Sequence, residues 1–433
     1  MKDVPFELFK THLGNGLKLI VAQRKGLPIF YSTLCFHAGA IYEPSDRAGL
    51  AEMVSRMLEA GTKRLTRAEI AESIEMFGGR FITDIGYYTS IIGVAILSTF
   101  ARQGLQLIAE LAMQPTFPEK EFEIEKSKLL SELAEKESDP HDVLSELFRR
   151  VIYGDHPLGR PHDGLKETVS QIERDDLIKF WTQFYAPNNA ILVITSDLEI
   201  DEVIRMVEDT FGGWQPKPLE LPQIVEPVEV DKRIVKFRKM DVNQAFIAFG
   251  HLGPKRADKD WNGLRVASYI LGGSGFTSRM YKELRVKRGF AYSAYAYFVP
   301  GVKLPGFFNS GIETVRDTAF EAVKLMLQTI EEFVEHGPTV DEVELAKSYY
   351  QGSIPRMTDT YSKIGRALLD TEIYGLEDFF WLKDVEKIQQ LSVDDIHKAA
   401  IQHIKPEKFR MAIVSNSDRL LKDLEKLGFT PPA

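Results

Sequence analysis

The chain contains 433 residues, with 54 Lys and Arg against 63 Asp and Glu and a formal net charge of −9. The length exceeds what one hydrophobic core usually supports, so we expect more than one domain. The negative balance argues against nucleic-acid binding, which depends on a basic surface, and against docking onto an anionic membrane. The single cysteine, Cys35, excludes an internal disulfide and a cysteine-based zinc cage, and leaves the redox compartment open.

The first half of the chain combines strand and helix patterns. Alternating apolar and polar side chains predict strands at residues 17–22, 30–38 and 82–98, the last as a strand pair. Helical spacing of apolar side chains predicts helices at residues 48–60, 67–77 and 119–137. Thr66 followed by Glu69 indicates a capping box at the start of the second of these helices.

The stretch at 91–113 is the most apolar in the chain. It is interrupted by four polar side chains, namely Arg102, Gln103, Gln106 and Glu110. A membrane-spanning helix needs about 20 mostly apolar residues, so the stretch predicts a strand followed by an amphipathic helix. The N-terminus also lacks the pattern of a signal peptide. We therefore expect a cytoplasmic protein, or a periplasmic one whose signal peptide was removed from this sequence.

The second half repeats the first. It contains predicted strands at 244–250 and 291–298 and predicted helices at 318–336 and 340–357. Strands and helices interleave without the short spacing of a doubly wound parallel sheet. We therefore expect α+β domains, each with an antiparallel-rich sheet and helices packed on one face.

Three pairs of similar segments support a tandem repeat. They are 48–58 with 262–271, 115–127 with 337–348, and 184–194 with 403–414, in the same order and at an offset of roughly 220 residues. Between the halves, residues 215–230 contain four prolines, which fix φ and remove backbone donors. The sequence thus predicts two homologous domains, residues 1–214 and 231–433, joined by a proline-rich linker at 215–230.

Several segments resemble the M16 metallopeptidase family, which includes pitrilysin, insulin-degrading enzyme and the mitochondrial processing peptidase. Ala48-Gly-Leu50 precedes a helix, Gly78-Gly79 precedes strands, and a long glutamate-bearing helix follows. Residues 155–161 and 185–189 also match segments that recur in that family. The resemblance covers nearly the whole chain and implies the LuxS/MPP-like metallohydrolase fold in its two-domain bacterial form.

Active members of the family carry His-x-x-Glu-His on the helix after Ala-Gly-Leu. Two histidines four residues apart bind one Zn²⁺, and the adjacent glutamate activates the bound water. In this chain the matching positions hold Glu52, Ser55 and Arg56. The family's third ligand, a glutamate on a later helix, corresponds to Glu132. The resemblance therefore implies a degenerate zinc site without metal, where we expect Glu52 and Glu132 to form an ion pair with Arg56.

The other histidines indicate no second zinc site. None of the nine lies four residues from another on a predicted helix. His156 and His162 lie in a loop beside Asp155 and Asp163, and we favour a structured loop with helix-capping polar groups over metal binding. Ile82 also replaces the asparagine of the family's substrate-contacting strand, which weakens the case for catalysis by the first half.

Residues 283–293 resemble the family's second catalytic device, an arginine followed seven residues later by a tyrosine. The matching residues are Arg285 and Tyr292. The arginine fork can hold a substrate carbonyl or carboxylate, and the tyrosine hydroxyl can donate to the oxyanion of a tetrahedral intermediate. By spacing alone, Arg285 would be a helix-surface charge and Tyr292 a strand aromatic. The surrounding match favours the catalytic interpretation.

A glycine-rich segment lies just before this pair. It lacks the Lys-Ser/Thr of a phosphate-binding loop, so a turn before the Arg285 helix is the simpler interpretation. The resemblance implies that such a segment lines the substrate path. We therefore predict peptide contact at Gly272, Gly273, Ser274 and Gly275.

Together these features lead to one main hypothesis. The chain is the zinc-less subunit of a heteromeric M16-type metalloendopeptidase, with Arg285 and Tyr292 acting in trans on an unfolded peptide. Zinc is expected on a homologous partner that carries His-x-x-Glu-His, and no cofactor on this chain. Nucleic-acid and membrane partners are not expected, and self-association of the isolated chain stays open. The alternatives are a purely structural or peptide-binding homologue, and a self-sufficient hydrolase, for which no Gly-x-Ser-x-Gly motif was found.

Overall fold

The computed structural model describes residues 4–431. Its strands, in chain order, are β1 (Glu7–His12), β2 (Lys18–Gln23), β3 (Ile29–Phe36), β4 (Arg80–Ile85), β5 (Ser90–Leu97), β6 (Ala190–Ser196), β7 (Ile234–Lys239), β8 (Gln244–Gly253), β9 (Ala294–Val299), β10 (Gly306–Val315) and β11 (Arg410–Ser415). The helices are α1 (Leu50–Leu58), α2 (Arg67–Met76), α3 (Ala101–Met113), α4 (Glu119–Lys136), α5 (Pro140–Tyr153), α6 (Lys166–Val169), α7 (Arg174–Phe184), α8 (Ile200–Phe211), α9 (Trp261–Ser268), α10 (Ala319–His336), α11 (Val340–Met357), α12 (Tyr361–Ile373), α13 (Phe380–Gln390), α14 (Val393–His403) and α15 (Arg419–Leu424).

The chain forms two compact units, and each draws on both halves of the sequence. The first unit consists of the residues up to Ala134, Pro161–Ile224 and Pro355–Glu372. The second consists of Glu135–Arg160, Val225–Ile354 and the residues from Ile373 onward. No helix or strand occurs between residues 214 and 233, as suits a linker. The division into domains at 215–230 stays a prediction. The first unit includes Pro355–Glu372, which follow the linker, and the second unit includes Glu135–Arg160, which precede it.

The first unit is built on a six-stranded sheet of order β1-β2-β6-β3-β5-β4. All its strand pairs are antiparallel except β2 with β6. The central strand β6 is buried along its whole length, which accounts for its run of apolar and small residues. The apolar stretch at 91–113 forms β5 followed by α3, as predicted.

The sheet of the first unit has helices on both faces. Val94 and Ile96 of β5 contact α3, where Gly104 allows the close approach. Tyr31 pairs with Ala95 on the opposite face, and there it meets Gly365 of α12. A Cβ on Gly365 would lie 2.7 Å from the Tyr31 ring. The helix α12, from the second half of the sequence, thus completes the first unit.

The second unit is built on a five-stranded sheet of order β7-β11-β8-β10-β9. Only β7 with β11 is parallel. Ile247 and Phe249 of β8 face a core shared with α9, α10 and α14. The alternate residue Phe246 meets His141 of α5, a helix from the first half of the sequence.

The predicted fold class is confirmed: two α+β units with antiparallel-rich sheets. The structure adds a helix on the second face of each sheet. The capping box of α2 is also confirmed, because the Thr66 side chain accepts from the Glu69 amide and the Glu69 carboxylate accepts from the Thr66 amide. Among the helices between residues 4 and 431, none has the length and apolar character needed to cross a bilayer.

Candidate functional site: a closed arginine cluster and an exposed Arg/Tyr pair

The helix α1 carries the positions of the degenerate zinc site. Gly49 precedes it with φ of +96°, and a Cβ at this position would lie 2.7 Å from Val169. The buried Glu43 carboxylate accepts hydrogen bonds from the amides of Gly49 and Ala51 at 3.1 and 2.6 Å. These contacts satisfy amide donors at the helix start and fix its position. One turn along, Glu52 and Arg56 project from the same face.

Arg56 joins two carboxylates. Its Nε donates to Glu52 Oε1 at 2.6 Å, and its two terminal nitrogens donate to both oxygens of Glu132 on α4 at 3.0 and 2.6 Å. The expected ion pair is therefore confirmed, and its second half is bidentate. Hydrogen bonding to Glu132, with a further contribution from Glu52, raises the pKa of the Arg56 guanidinium. The group stays cationic at any physiological pH.

These residues do not fit a zinc ion. Glu52 and Arg56 stand where two imidazoles would be needed, and Ser55, which is buried, supplies no general base. The guanidinium occupies the space between the two carboxylates and repels a divalent cation. The only carboxylate that matches a family ligand, Glu132, is already engaged by Arg56 through both of its oxygens.

In the second unit, Arg285 and Tyr292 lie in contact. Arg285 belongs to a π-helical segment, Tyr281–Val286, and its guanidinium lies over the rings of Tyr281 and Tyr292 at 5.0 and 4.3 Å. Its Nη1 donates to the Tyr292 carbonyl at 3.2 Å. The pair that the resemblance implied is thus brought together by stacking and one hydrogen bond.

Tyr292 is the more open member of the pair. It precedes β9 in a loop, so the strand predicted at 291–298 begins three residues later than expected. Its side chain is 82% exposed, and among residues 4–431 no acceptor or donor meets its hydroxyl. The hydroxyl is therefore available to an external acceptor.

The glycine-rich segment divides into two parts. A Cβ on Gly272 would lie 2.0 Å from the Ala296 amide nitrogen, so packing against β9 explains this glycine. Gly273 lies in the same π-helical turn, Tyr269–Gly273. Gly275 adopts φ of +59° in open space, and Ser274 Oγ accepts from the Thr277 hydroxyl at 2.9 Å. Peptide contact at these four positions stays a prediction.

Sequence reasoning missed the ring of Tyr281. Its position four residues before Arg285 was the available signal, because residues at that spacing face each other on a helix. Sequence reasoning also missed Glu43, whose carboxylate caps α1 from six residues upstream.

Two histidines, His156 and His403, have hydrogen-bond partners that explain their positions without a metal ion. His156 Nδ1 accepts from the Leu158 amide and its Nε2 meets the Val225 carbonyl, in agreement with a structured loop. Within residues 4–431, one other group could hold a metal ion, namely Asp258, Asp260 and His403. His403 Nε2 lies 3.0 Å from Asp260 Oδ2, and this hydrogen bond between the end of α14 and the start of α9 accounts for the cluster without an ion.

Comparisons with known proteins agree with this geometry. The model "Insulinase (Peptidase family M16)" matches residues 20–164, and "Peptidase M16 inactive domain" matches residues 171–350. A Helicobacter pylori protein named "Non-peptidase homolog YmxG" is 28% identical over 91% of this chain and 90% of its own length. A Bacillus subtilis protein named "Uncharacterized zinc protease YmxG" is 25% identical over 81% of this chain and 85% of its own length.

Solved structures show the same fold. A Pseudomonas fluorescens peptidase M16 inactive domain superposes with a TM-score of 0.89 at 24% identity, covering 95% of this chain and 98% of that one. A Helicobacter pylori protease superposes with a TM-score of 0.87 at 20% identity, covering 95% of this chain and all of that one. The two family models, at residues 20–164 and 171–350, both describe parts of the M16 family. The chain therefore belongs to the M16 peptidase family.

Proposed function

We propose that this chain is the zinc-less subunit of a heteromeric M16-type metalloendopeptidase. It binds an unfolded peptide and supplies Arg285 and Tyr292 to the zinc site of a homologous partner. The observation that carries the proposal is the contrast between the two arginines. Arg56 is neutralised by Glu52 and Glu132 at the zinc positions, whereas Arg285 holds a tyrosine whose hydroxyl is open to solvent.

The partner's zinc supplies the polarised carbonyl and the activated water. This chain supplies hydrogen-bond donors. The Tyr292 hydroxyl donates to the carbonyl oxygen of the peptide as that oxygen gains negative charge. Arg285 stacks on the Tyr292 ring and holds the Tyr292 carbonyl, so it orients the hydroxyl and adds positive charge beside the oxyanion. Stacked geometry restricts the ring before substrate arrives, which lowers the cost of reaching the transition state.

Two further observations support a chain that does not hydrolyse peptides alone. The residues at the zinc positions do not form a zinc site, and the Helicobacter pylori relative carries the name of a non-peptidase homologue. Both also suit the alternative of a structural or peptide-binding homologue with no catalytic role. The experiment below separates the two.

The test is reconstitution with the M16 chain of the same organism that carries an intact His-x-x-Glu-His. Cleavage of an unstructured fluorogenic peptide is measured with each chain alone and with both. We expect activity only from the mixture. The double variant Arg285→Ala/Tyr292→Phe should lower kcat by roughly 100- to 1,000-fold, with a smaller change in KM.

A matched control is Arg238→Ala/Tyr349→Phe, which changes the same residue types at exposed positions of the same unit. It should leave the rate unchanged. If the Arg285/Tyr292 variant also leaves the rate unchanged, the role in trans is wrong. If the partner cleaves equally well alone, the structural alternative holds. Chelator-sensitive cleavage by this chain alone would contradict both.

A further inference from the structure

The residues around Arg285 form a continuous strip at the surface. The Phe276 ring meets the Tyr281 ring at 5.1 Å, and the Arg285 guanidinium lies over both Tyr281 and Tyr292. Phe276 is 75% exposed and Tyr292 82% exposed. Scattered apolar side chains are common on surfaces, but contiguous ones mark binding sites. We call Phe276, Tyr281, Arg285 and Tyr292 the aromatic strip.

The strip lies on a short basic segment of an acidic chain. Residues 279–288 contain five cations and one acid, although the whole chain carries −9. Two of the cations are neutralised, since Arg279 pairs with Glu342 and Lys287 with Glu283. The remaining three, Lys282, Arg285 and Arg288, form no ion pair with any carboxylate in residues 4–431. Three positive charges are therefore unbalanced at this surface.

Arg285 keeps hydrogen-bond donors available for a ligand. Its guanidinium lies over the rings of Tyr281 and Tyr292, and one of its N–H groups donates to the Tyr292 carbonyl. The remaining in-plane N–H groups can donate in parallel to the two oxygens of a carboxylate. Lys282, on the helical segment, and Arg288, in the turn just after it, are both exposed and add attraction for further carboxylates.

We propose that the peptide bound at this surface is acidic. Its Asp or Glu side chains lie beside Lys282, Arg285 and Arg288, and its apolar side chains pack on Phe276 and Tyr292. The inference rests on the proposed function for the nature of the ligand, an unfolded peptide. It goes further in naming the charge that the peptide carries.

The test uses the purified full-length chain and three labelled unstructured peptides in fluorescence anisotropy. One peptide carries four Glu around a Phe, the second has Gln in place of Glu, and the third Lys. We expect the Glu peptide to bind at least about tenfold more tightly than the Gln peptide, and the Lys peptide most weakly. The preference should shrink as salt rises.

The variant Lys282→Glu/Arg288→Glu should remove or reverse the preference for Glu. Its control is Arg238→Glu/Lys239→Glu, the same change of charge at exposed positions of β7, the opposite edge of the same sheet. Thermal unfolding of both variants is checked first, because exposed positions should leave it unchanged.

Equal affinity for the Glu and Gln peptides would overturn the inference, as would a control variant that loses the preference to the same extent. Its failure is distinct from that of the proposed function. If the Lys282/Arg288 variant keeps the preference while Arg285→Ala/Tyr292→Phe still abolishes turnover in the reconstituted pair, only the inference is wrong. If Arg285→Ala/Tyr292→Phe leaves turnover unchanged while Lys282→Glu/Arg288→Glu removes the preference for the Glu peptide, only the catalytic role is wrong.

Discussion

Arg56 and Arg285 have opposite surroundings. Glu52 and Glu132 take hydrogen bonds from Arg56 and neutralise its charge. Two tyrosine rings and one carbonyl surround Arg285, so its charge has no counterion among residues 4–431. A carboxylate balances the charge of a guanidinium and accepts hydrogen bonds from its N–H groups. An aromatic ring attracts the cation but leaves the N–H groups at the edge of the guanidinium without an acceptor. Arg56 therefore has its donors occupied within the first unit, whereas Arg285 keeps donors available for an external acceptor.

The repeat makes the contrast sharper. Glu52 and Arg56 of α1 correspond to Val266 and Ile270 in the second half, which are buried and apolar. The same helix position thus packs well without charges. The fold itself therefore does not require a polar cluster at these positions.

The largest expected effect comes from rebuilding the motif of α1. The triple variant Glu52→His/Ser55→Glu/Arg56→His places two imidazoles on one helix face opposite Glu132, the ligand set of an active M16 site. We expect the affinity for Zn²⁺ to rise at least about 1,000-fold over the unmodified chain, measured by competition with a chromophoric chelator.

Adding Glu132→Gln to this triple variant is the control, and it should lower the gained affinity by removing the third ligand. If the triple variant binds Zn²⁺ no better than the unmodified chain, α1 and α4 do not hold these side chains at ligand distance. In that case Arg56 would join Glu52 and Glu132 without occupying the position of a metal ion.

A second prediction concerns acid and the core of the second unit. His251 is buried between Phe308 and Phe409, and burial lowers its pKa to about 4. Its Nε2 accepts from the Lys405 amide, so the ring is neutral with the proton on Nδ1. The unfolded chain binds this proton near pH 6.5, so the free energy of unfolding falls as pH drops from 6.5 to 4, by up to about 3 kcal/mol.

Proton NMR of the histidine ring measures this pKa directly, and His251→Gln assigns the signal. Gln keeps a donor and an acceptor but does not titrate, so urea unfolding of this variant should depend less on pH between 6.5 and 4. A titration midpoint above 6 for His251 would contradict the prediction.

A third prediction compares the two arginines directly. Arg56→Ala removes the guanidinium that joins Glu52 and Glu132, and we expect a loss of about 2 kcal/mol in the free energy of unfolding. Arg285→Ala removes stacking at an exposed surface and should cost less than about 0.5 kcal/mol. Urea denaturation measures both.

Arg56→Lys is the matched variant for the first arginine. One ammonium cannot reproduce the bidentate contact with Glu132 and also reach Glu52, so this variant should fall between Arg56 and Arg56→Ala. If Arg56→Ala and Arg285→Ala lower the free energy of unfolding equally, the carboxylates around Arg56 do not make it more important for stability than Arg285.

The smallest effect concerns Glu59, at the end of α1. Burial raises the pKa of this carboxyl to about 6; the charge of Arg67 opposes this rise, and the charge of Glu125 adds to it. The folded state therefore binds more protons than the unfolded state between pH 4.5 and 6, and stability falls as pH rises through that window. Glu59→Gln should stabilise the protein by about 1 kcal/mol at pH 7 and by almost nothing at pH 4.

Glu123→Gln, at an exposed position of α4, is the control and should change the unfolding midpoint little at either pH. A stabilisation by Glu59→Gln that is the same at pH 4 and pH 7 would mean that packing, not charge, is responsible.

Much of the first site could be predicted because helix geometry is local. Residues four apart share a face, so Glu52 and Arg56 had to lie together, and the resemblance supplied Glu132. The Arg285 site was harder. Tyr281 was missed although it lies four residues before Arg285, and the loop before β9 left Tyr292 more exposed than a strand position would.

The sequence alone determined the tandem repeat, the extents of most helices and strands, and the loss of the zinc ligands, because each depends on residue type and near spacing. Only the tertiary structure decided that α12 lies on the sheet of the first unit and α5 on the sheet of the second. An amphipathic helix shows in its sequence that one face will be buried, but not against which sheet. That choice depends on the shape of the opposing surface, as where Gly365 lets α12 approach Tyr31.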